Sequence, residues 1–147
     1  HFRRAVARRP DNIEARVNLA QLHSALGLAA DAAGEFQRVL ARRADDPQAL
    51  SGLAWIRGTS STDALRDPAD AVRLAERAVA LTSRRDISAI DALAAAYASA
   101  GRYDEAVAAA RAGIDLAVGA GLSAVVAQLR QRMDVYQRRQ PYRVPPR

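Results

Sequence analysis

The densest gathering of reactive side-chain types lies in "LAAAYASAGRYDEAVAAARAGI" (Leu93–Ile114), which holds two Tyr, an adjacent Asp–Glu pair and two Arg. Carboxylates beside tyrosines are raw material for acid–base chemistry, provided that the fold brings a proton donor and an acceptor together. Outside this stretch the candidates are few. His1 and His23 are the two histidines, and neither has a second His or a carboxylate set at metal-ligand spacing. Thr59, Ser60 and Ser61 form a run of hydroxyls with no base nearby in sequence, so they read as a turn and not as a nucleophile. The chain contains no Cys, which excludes disulfides, thiolate metal sites and a cysteine nucleophile. A glycine-rich phosphate loop needs a strand before it, and no strand pattern is present. The expectation is therefore no catalytic residue, no metal and no cofactor: not an enzyme.

The elements that must hold these side chains are helical. Half of the 147 residues are hydrophobic yet only 5% are aromatic, so the apolar content is mostly Ala, Leu and Val. Ala is the strongest helix former, and β-branched and aromatic residues are too scattered for a set of strands. The fold class is all-α. No stretch approaches the roughly 18 uninterrupted apolar residues of a membrane span, so membrane insertion by this chain is not expected. The chain opens on His1, without Met and in mid-helix, which reads as part of a larger protein. Cytoplasmic and periplasmic locations fit equally well.

All 22 basic residues are Arg. Together with the Ala excess this reads as the codon bias of a GC-rich, bacterial genome. The net charge of +6 is uneven: residues 1–9 carry four Arg and no acid (+4), residues 130–147 six Arg and one Asp (+5), and the middle 12 Arg against 15 acids (−3). A nucleic-acid binder usually presents a basic stripe across its working face, and here only the ends are basic. Arg8–Arg9, Arg42–Arg43 and Arg84–Arg85 fall at helix ends, where cations offset the dipole.

Three copies of one pattern run through the chain. Leu-Ala pairs occur at Leu19–Ala20, Leu53–Ala54 and Leu93–Ala94, 34 and then 40 residues apart, and the following small residues are Ala32, Ala71 and Ala106. The distance from Leu to that Ala is 13 residues in the first and third copies and 18 in the second. A five-residue insertion within "GTSSTDALRDP" accounts for the difference. Each copy reads as two antiparallel helices, with Gly27 and Gly101 where the first must stop. Ala after each Leu lets the pair approach closely. Phe36, Ala75 and Ala110, then Val39, Ala78 and Gly113, share one face of the second helices.

This pattern resembles the tetratricopeptide repeat, a helix–turn–helix unit of 34 residues. Beside the Leu-Ala pairs, Tyr97 and "GRYDEA" (Gly101–Ala106) carry the likeness, and Phe2, Ala5 and Pro10 match the end of a truncated unit. Arg16, Leu50 and Ile90 stand where many units have Trp, and Ala44 replaces the closing Pro. The resemblance implies a right-handed α-solenoid of helix–turn–helix repeats. The units are residues 1–12 (the truncated end), 13–46, 47–86 with the insertion, and 87–120. A capping helix over 121–140 follows, with Leu122, Val125, Val126, Leu129, Met133 and Tyr136 inward and Gln128, Gln131, Arg132, Gln137 and Arg138 outward. The three-proline stretch 141–147 cannot continue it and reads as an extended tail packed back by Tyr142.

In that frame the opening cluster is packing: Asp104 and Glu105 begin a helix, where its dipole favours acids, and Tyr97 and Tyr103 fill space. His23 takes the place of a core aromatic. Function falls to the concave face lined by first helices, as the resemblance implies for a protein-interaction scaffold. Offsets from each Leu-Ala pair select Glu14, Val17, Gln21 and Ser24, then Gln48, Ser51 and Trp55, then Ser88, Asp91, Ala95 and Ala98. Trp55 is either a groove-exposed anchor or covered by the inserted loop. The set of Lys or Arg plus Asn with which family members clamp a peptide carboxylate is missing, so an acidic C-terminus is not the expected ligand. The leading expectation is a protein or peptide partner. Nucleic-acid or anion binding through the basic ends, and a homo-oligomer formed through the Phe2 edge, are the alternatives.

Overall fold

The Ala- and Leu-rich chain is mostly helical over its described residues. A computed structural model describes residues 12–145, with helices α1 (Ile13–Ala25), α2 (Ala29–Arg42), α3 (Pro47–Thr59), α4 (Pro68–Leu81), α5 (Ile87–Ser99), α6 (Tyr103–Gly119) and α7 (Ser123–Gln137). A short 3-10 turn, Asp63–Leu65, interrupts the α3–α4 connection. Among the described residues there is no strand. The truncated-unit residues Phe2, Ala5 and Pro10, the Arg8–Arg9 pair and His1 lie outside the described residues.

Two devices start and stop the helices. The Asn12, Asp46, Asp67 and Asp86 side chains accept a backbone N–H at the starts of α1, α3, α4 and α5, with Pro47 and Pro68 at the first turn. The α1–α2, α5–α6 and α6–α7 connections instead turn on Gly27, Gly101 and Gly121, with φ of 78°, 78° and 71°. In each the amide three residues past the helix reaches back to an orphan carbonyl, as in Leu28 N to His23 O at 2.8 Å and Arg102 N to Tyr97 O at 2.8 Å. The inserted segment replaces this turn between α3 and α4. It is held by Arg66, which donates to Ser60 O at 2.8 Å, and by Asp67 N, which donates to Arg57 O at 2.8 Å.

Consecutive helices pack against each other, and α3 also packs on α5, so the units stack in an all-α solenoid. Ala20, Ala54 and Ala94, with Ala32, Ala71 and Ala106, are fully buried, which permits the close helix–helix approach. The main core joins α1 to α5 around Phe36, Val39, Leu50, Leu53 and Leu74. Phe36 is set into Gly52: a Cβ there would stand 2.3 Å from the ring. Gly58 lies against α5 less tightly, where a Cβ would stand 3.4 Å from the Ala96 backbone. Two smaller clusters join α6 to the capping helix, around Tyr136 with Ala94 and Ala98, and around Leu129 with Ile114. Leu129 and Tyr136 are buried as their spacing predicts. Leu122 is not; it precedes the first turn of α7 and is exposed.

The cluster in Leu93–Ile114 is structural in its contacts. Asp104 and Glu105 occupy the first turn of α6, and Arg102 pairs with Glu105 at 2.8 Å while lying 4.6 Å over the Tyr97 ring. Tyr97 donates to Glu76 Oε2 at 2.9 Å. Burial first, and then this carboxylate, push its hydroxyl up to about 12. His23 is buried at the end of α1. Among the described residues, no three His, Asp or Glu side chains gather as a metal set, and no helix is long and apolar enough to cross a membrane.

Candidate functional site

The first helices α1, α3 and α5, continued by α7, line one groove with a cavity of about 600 Å³. Their common start signals and equal helix lengths bring the same offsets to the same side. Of the residues selected by offset, Gln21, Ser24, Gln48, Ser51, Trp55, Ser88 and Asp91 border this cavity. Phe36 and Gly52 form part of its floor. Ser51 Oγ is buried at the groove and has no hydrogen-bond partner among the described residues.

Four of the selected positions lie elsewhere. Glu14 is exposed and opens, with Val17, Arg43 and Gln48, on a smaller cavity of about 280 Å³ at the start of α1. Val17 itself is buried in the main core. Ala95 and Ala98 are buried as well: Gly58 of α3 stands against the Ala95 backbone, and Ala98 is in the cluster around Tyr136 of α7. The capping helix and the close α3–α5 approach thus close the groove at its C-terminal end, which offsets within a single unit do not show.

At that end the groove becomes charged and aromatic. Arg132 of α7 donates to Asp91 Oδ2 at 2.6 Å, and both side chains are more than four-fifths buried. Burial raises the Asp91 carboxyl above its ordinary range, and the charge and hydrogen bond of Arg132 oppose that rise without cancelling it. The Arg132 guanidinium also lies 4.9 Å over the Trp55 ring and 5.1 Å over Tyr142. The two rings meet with centroids 5.7 Å apart, tilted by 40°. Trp55 is therefore half-buried under the segment that follows α7. It is neither a free anchor nor covered by the inserted loop alone, although residues of that loop border its far side.

Arg132 and Gln128 are the groove residues that sequence reasoning placed on the outside. Each first helix, and α7, carries Leu at its seventh position: Leu19, Leu53, Leu93 and Leu129. Applying the groove offset to Leu129 selects Gln131, which is exposed; the residues that face the groove are one place along. One residue is about 100° of helix rotation. Leu129 and Tyr136, seven residues apart on one face of α7, are the side chains this orientation buries, Leu129 with Ile114 and Tyr136 with Ala94 and Ala98.

A tetratricopeptide-repeat family model matches residues 1–56. Two solved structures, titled crystal structures of MamA, share the fold. One covers 93% of this chain and 85% of its own at 18% identity and a TM-score of 0.63. The other covers 94% and 76% at 21% identity and a TM-score of 0.64. No curated protein matches the sequence. The resemblance to the tetratricopeptide repeat is thus borne out over the matched residues, and the solenoid fold over nearly the whole chain. A fold of this kind is, in general, a non-enzymatic scaffold for protein interaction.

Proposed function

We propose that the groove lined by α1, α3, α5 and α7 binds a segment of a partner protein, in a helical-repeat scaffold that performs no chemistry of its own. The observation that carries this reading is the convergence of seven offset-selected side chains from three helices on one cavity of about 600 Å³. Amides, hydroxyls and one Trp are the side chains with which such grooves fix an extended chain: they satisfy backbone donors and acceptors and supply one large anchor. Ser51 Oγ, buried without a partner among the described residues, is a group that a ligand would satisfy. The Arg-only set of cations and the Ala excess favour a GC-rich bacterial source.

Nucleic-acid binding draws less support. Of the basic C-terminal stretch, Arg132 pairs with Asp91, Arg138 with Asp134 and Arg139 with Asp104, while Arg143 donates to Gly58 O. Cations held by acids of the same chain release few counterions to a phosphate backbone. Self-association through Phe2 concerns a residue outside those described.

The test is a screen of the chain against a broad peptide library at moderate salt, beside a Gln48→Arg, Ser51→Arg variant that fills the open part of the groove. Peptides captured by the native chain should be lost by the variant, with the melting curve of the variant reported alongside. Peptides retained equally by both chains would move the binding surface away from the groove and sink this reading.

A further inference from the structure

After α7 the chain turns back on itself. Arg139 adopts a φ of 58°, and Gln140 N closes the turn on Val135 O at 3.2 Å. Pro141–Pro145 then runs without helix along the groove to the C-terminal end of α3. There the helix leaves its last carbonyls without intrahelical partners, at the negative end of its dipole. This segment supplies the donors: Val144 N to Thr59 O at 2.9 Å, and Arg143 Nη1 to Gly58 O at 3.1 Å. Tyr142 meets Trp55 and lies beneath Arg132.

The seat is specific in kind and light in hold. Each contact calls for a different feature: a flat ring for Trp55 and Arg132, a cation for Gly58 O, and an extended backbone amide for Thr59 O. Pro145 keeps Val144 extended, as a residue before proline must be. Yet none of the five residues is buried, and Pro145 is exposed. The segment fills only part of the space. A cavity of about 600 Å³ remains on one side, and one of about 750 Å³ on the other, between the α1–α2 turn, the inserted loop and Val144–Pro145; Trp55 borders both.

We infer that the seat held by Tyr142, Arg143 and Val144 accepts an extended peptide with an aromatic residue followed by Arg, and that such a ligand binds by displacing the chain's own segment. This rests on the groove reading above and gives its partner a chemistry. An acid in place of the Arg would face the negative end of α3 and lose the Gly58 contact. Because the resident segment competes, the apparent affinity of an outside peptide falls by the fraction of seats that are free; a segment docked nine-tenths of the time weakens binding about tenfold.

Trp55 is the only Trp in the sequence, so its fluorescence reports the seat directly. The experiment compares the native chain with a Tyr142→Ser, Val144→Pro variant. The probe is a labelled synthetic peptide containing Pro-Tyr-Arg-Val-Pro in neutral flanks, followed by anisotropy and by acrylamide quenching of Trp55. The variant alone should expose Trp55, bind the peptide about tenfold more tightly than the native chain, and regain its shielding on binding. A peptide with Glu in place of Arg should bind more weakly. Val144→Pro alone, which removes one donor and keeps both rings, should fall between and serves if the double variant loses helical signal. Equal affinity for native and variant chains, no binding to the variant once Trp55 is exposed, or indifference to Glu overturns the inference. Library peptides of other sequence that still require Gln48 and Ser51 would leave the groove reading standing while this one falls.

Discussion

The two halves of the groove are built on neighbouring first helices and have opposite characters. Toward α1, Gln21, Ser24, Gln48 and Ser51 present neutral amides and hydroxyls to an open cavity. Toward α7, Trp55, Asp91 and Arg132 form a charged and aromatic cluster, which Tyr142 closes. The repeat dictates where side chains stand, while the identity at each position decides whether the site stays open. The neutral half offers hydrogen-bonding amides and hydroxyls but neither a large ring nor a charge, and no segment of the described chain fills it. The other half offers a ring, a cation lying over it and two orphan carbonyls within a few ångströms.

The comparison breaks most completely at the floor that both halves share. Phe36→Ala removes the ring seated in Gly52 and should cost about 3–5 kcal/mol, read as the shift in a denaturation midpoint. Both halves should lose their shape, with ligand binding and Trp55 shielding failing together. A midpoint that barely moves would mean that the units do not lean on one another there.

A smaller effect separates the halves by pH. Asp91 holds its proton more tightly in the folded chain than in the unfolded one, because burial outweighs the help of Arg132. Its contribution to stability is therefore most favourable below the ordinary value of 3.8 and is lost as pH rises through the raised folded value. The melting temperature of the native chain relative to Asp91→Asn should fall across that window and level off above it. Parallel curves for the two chains would show that the pair is not buried enough to matter.

The smallest effect belongs to the open half. Ser24→Ala should change stability by less than about 0.5 kcal/mol, since the side chain borders a cavity and props nothing up. The same substitution should weaken any peptide that spans α1 and α3, and titration of the two chains side by side would measure it. A large loss of stability here would assign the open half a structural duty it does not show.

Much of this was legible from residue types and spacing. Leu-Ala pairs, turn glycines and Asx caps act within one or two helical turns, so the helices and their pairing could be read directly. The seven groove positions follow from offsets within a unit, because every first helix starts on an Asx cap and runs for 13 residues. His23 reads as packing because it takes the place of a core aromatic, and the cluster around Tyr97 because its acids start a helix. Val17, Ala95 and Ala98 were placed in the groove by the same offsets and proved buried, since burial depends on which neighbouring helix arrives, and small residues invite close arrival.

What the sequence by itself determined is the repeat, its helices and the inner face, all consequences of local periodicity. What only the tertiary structure decided is the end of that face. Arg132 enters the groove from α7, which docks with Tyr136 buried against Ala94 and Ala98, and Tyr142 covers Trp55 because the chain reverses at Arg139 and finds the free carbonyls of α3. Those contacts join residues far apart along the chain, 41 positions from Asp91 to Arg132 and 85 from Gly58 to Arg143. No short-range pattern encodes such a meeting; it follows from how the last helix docks.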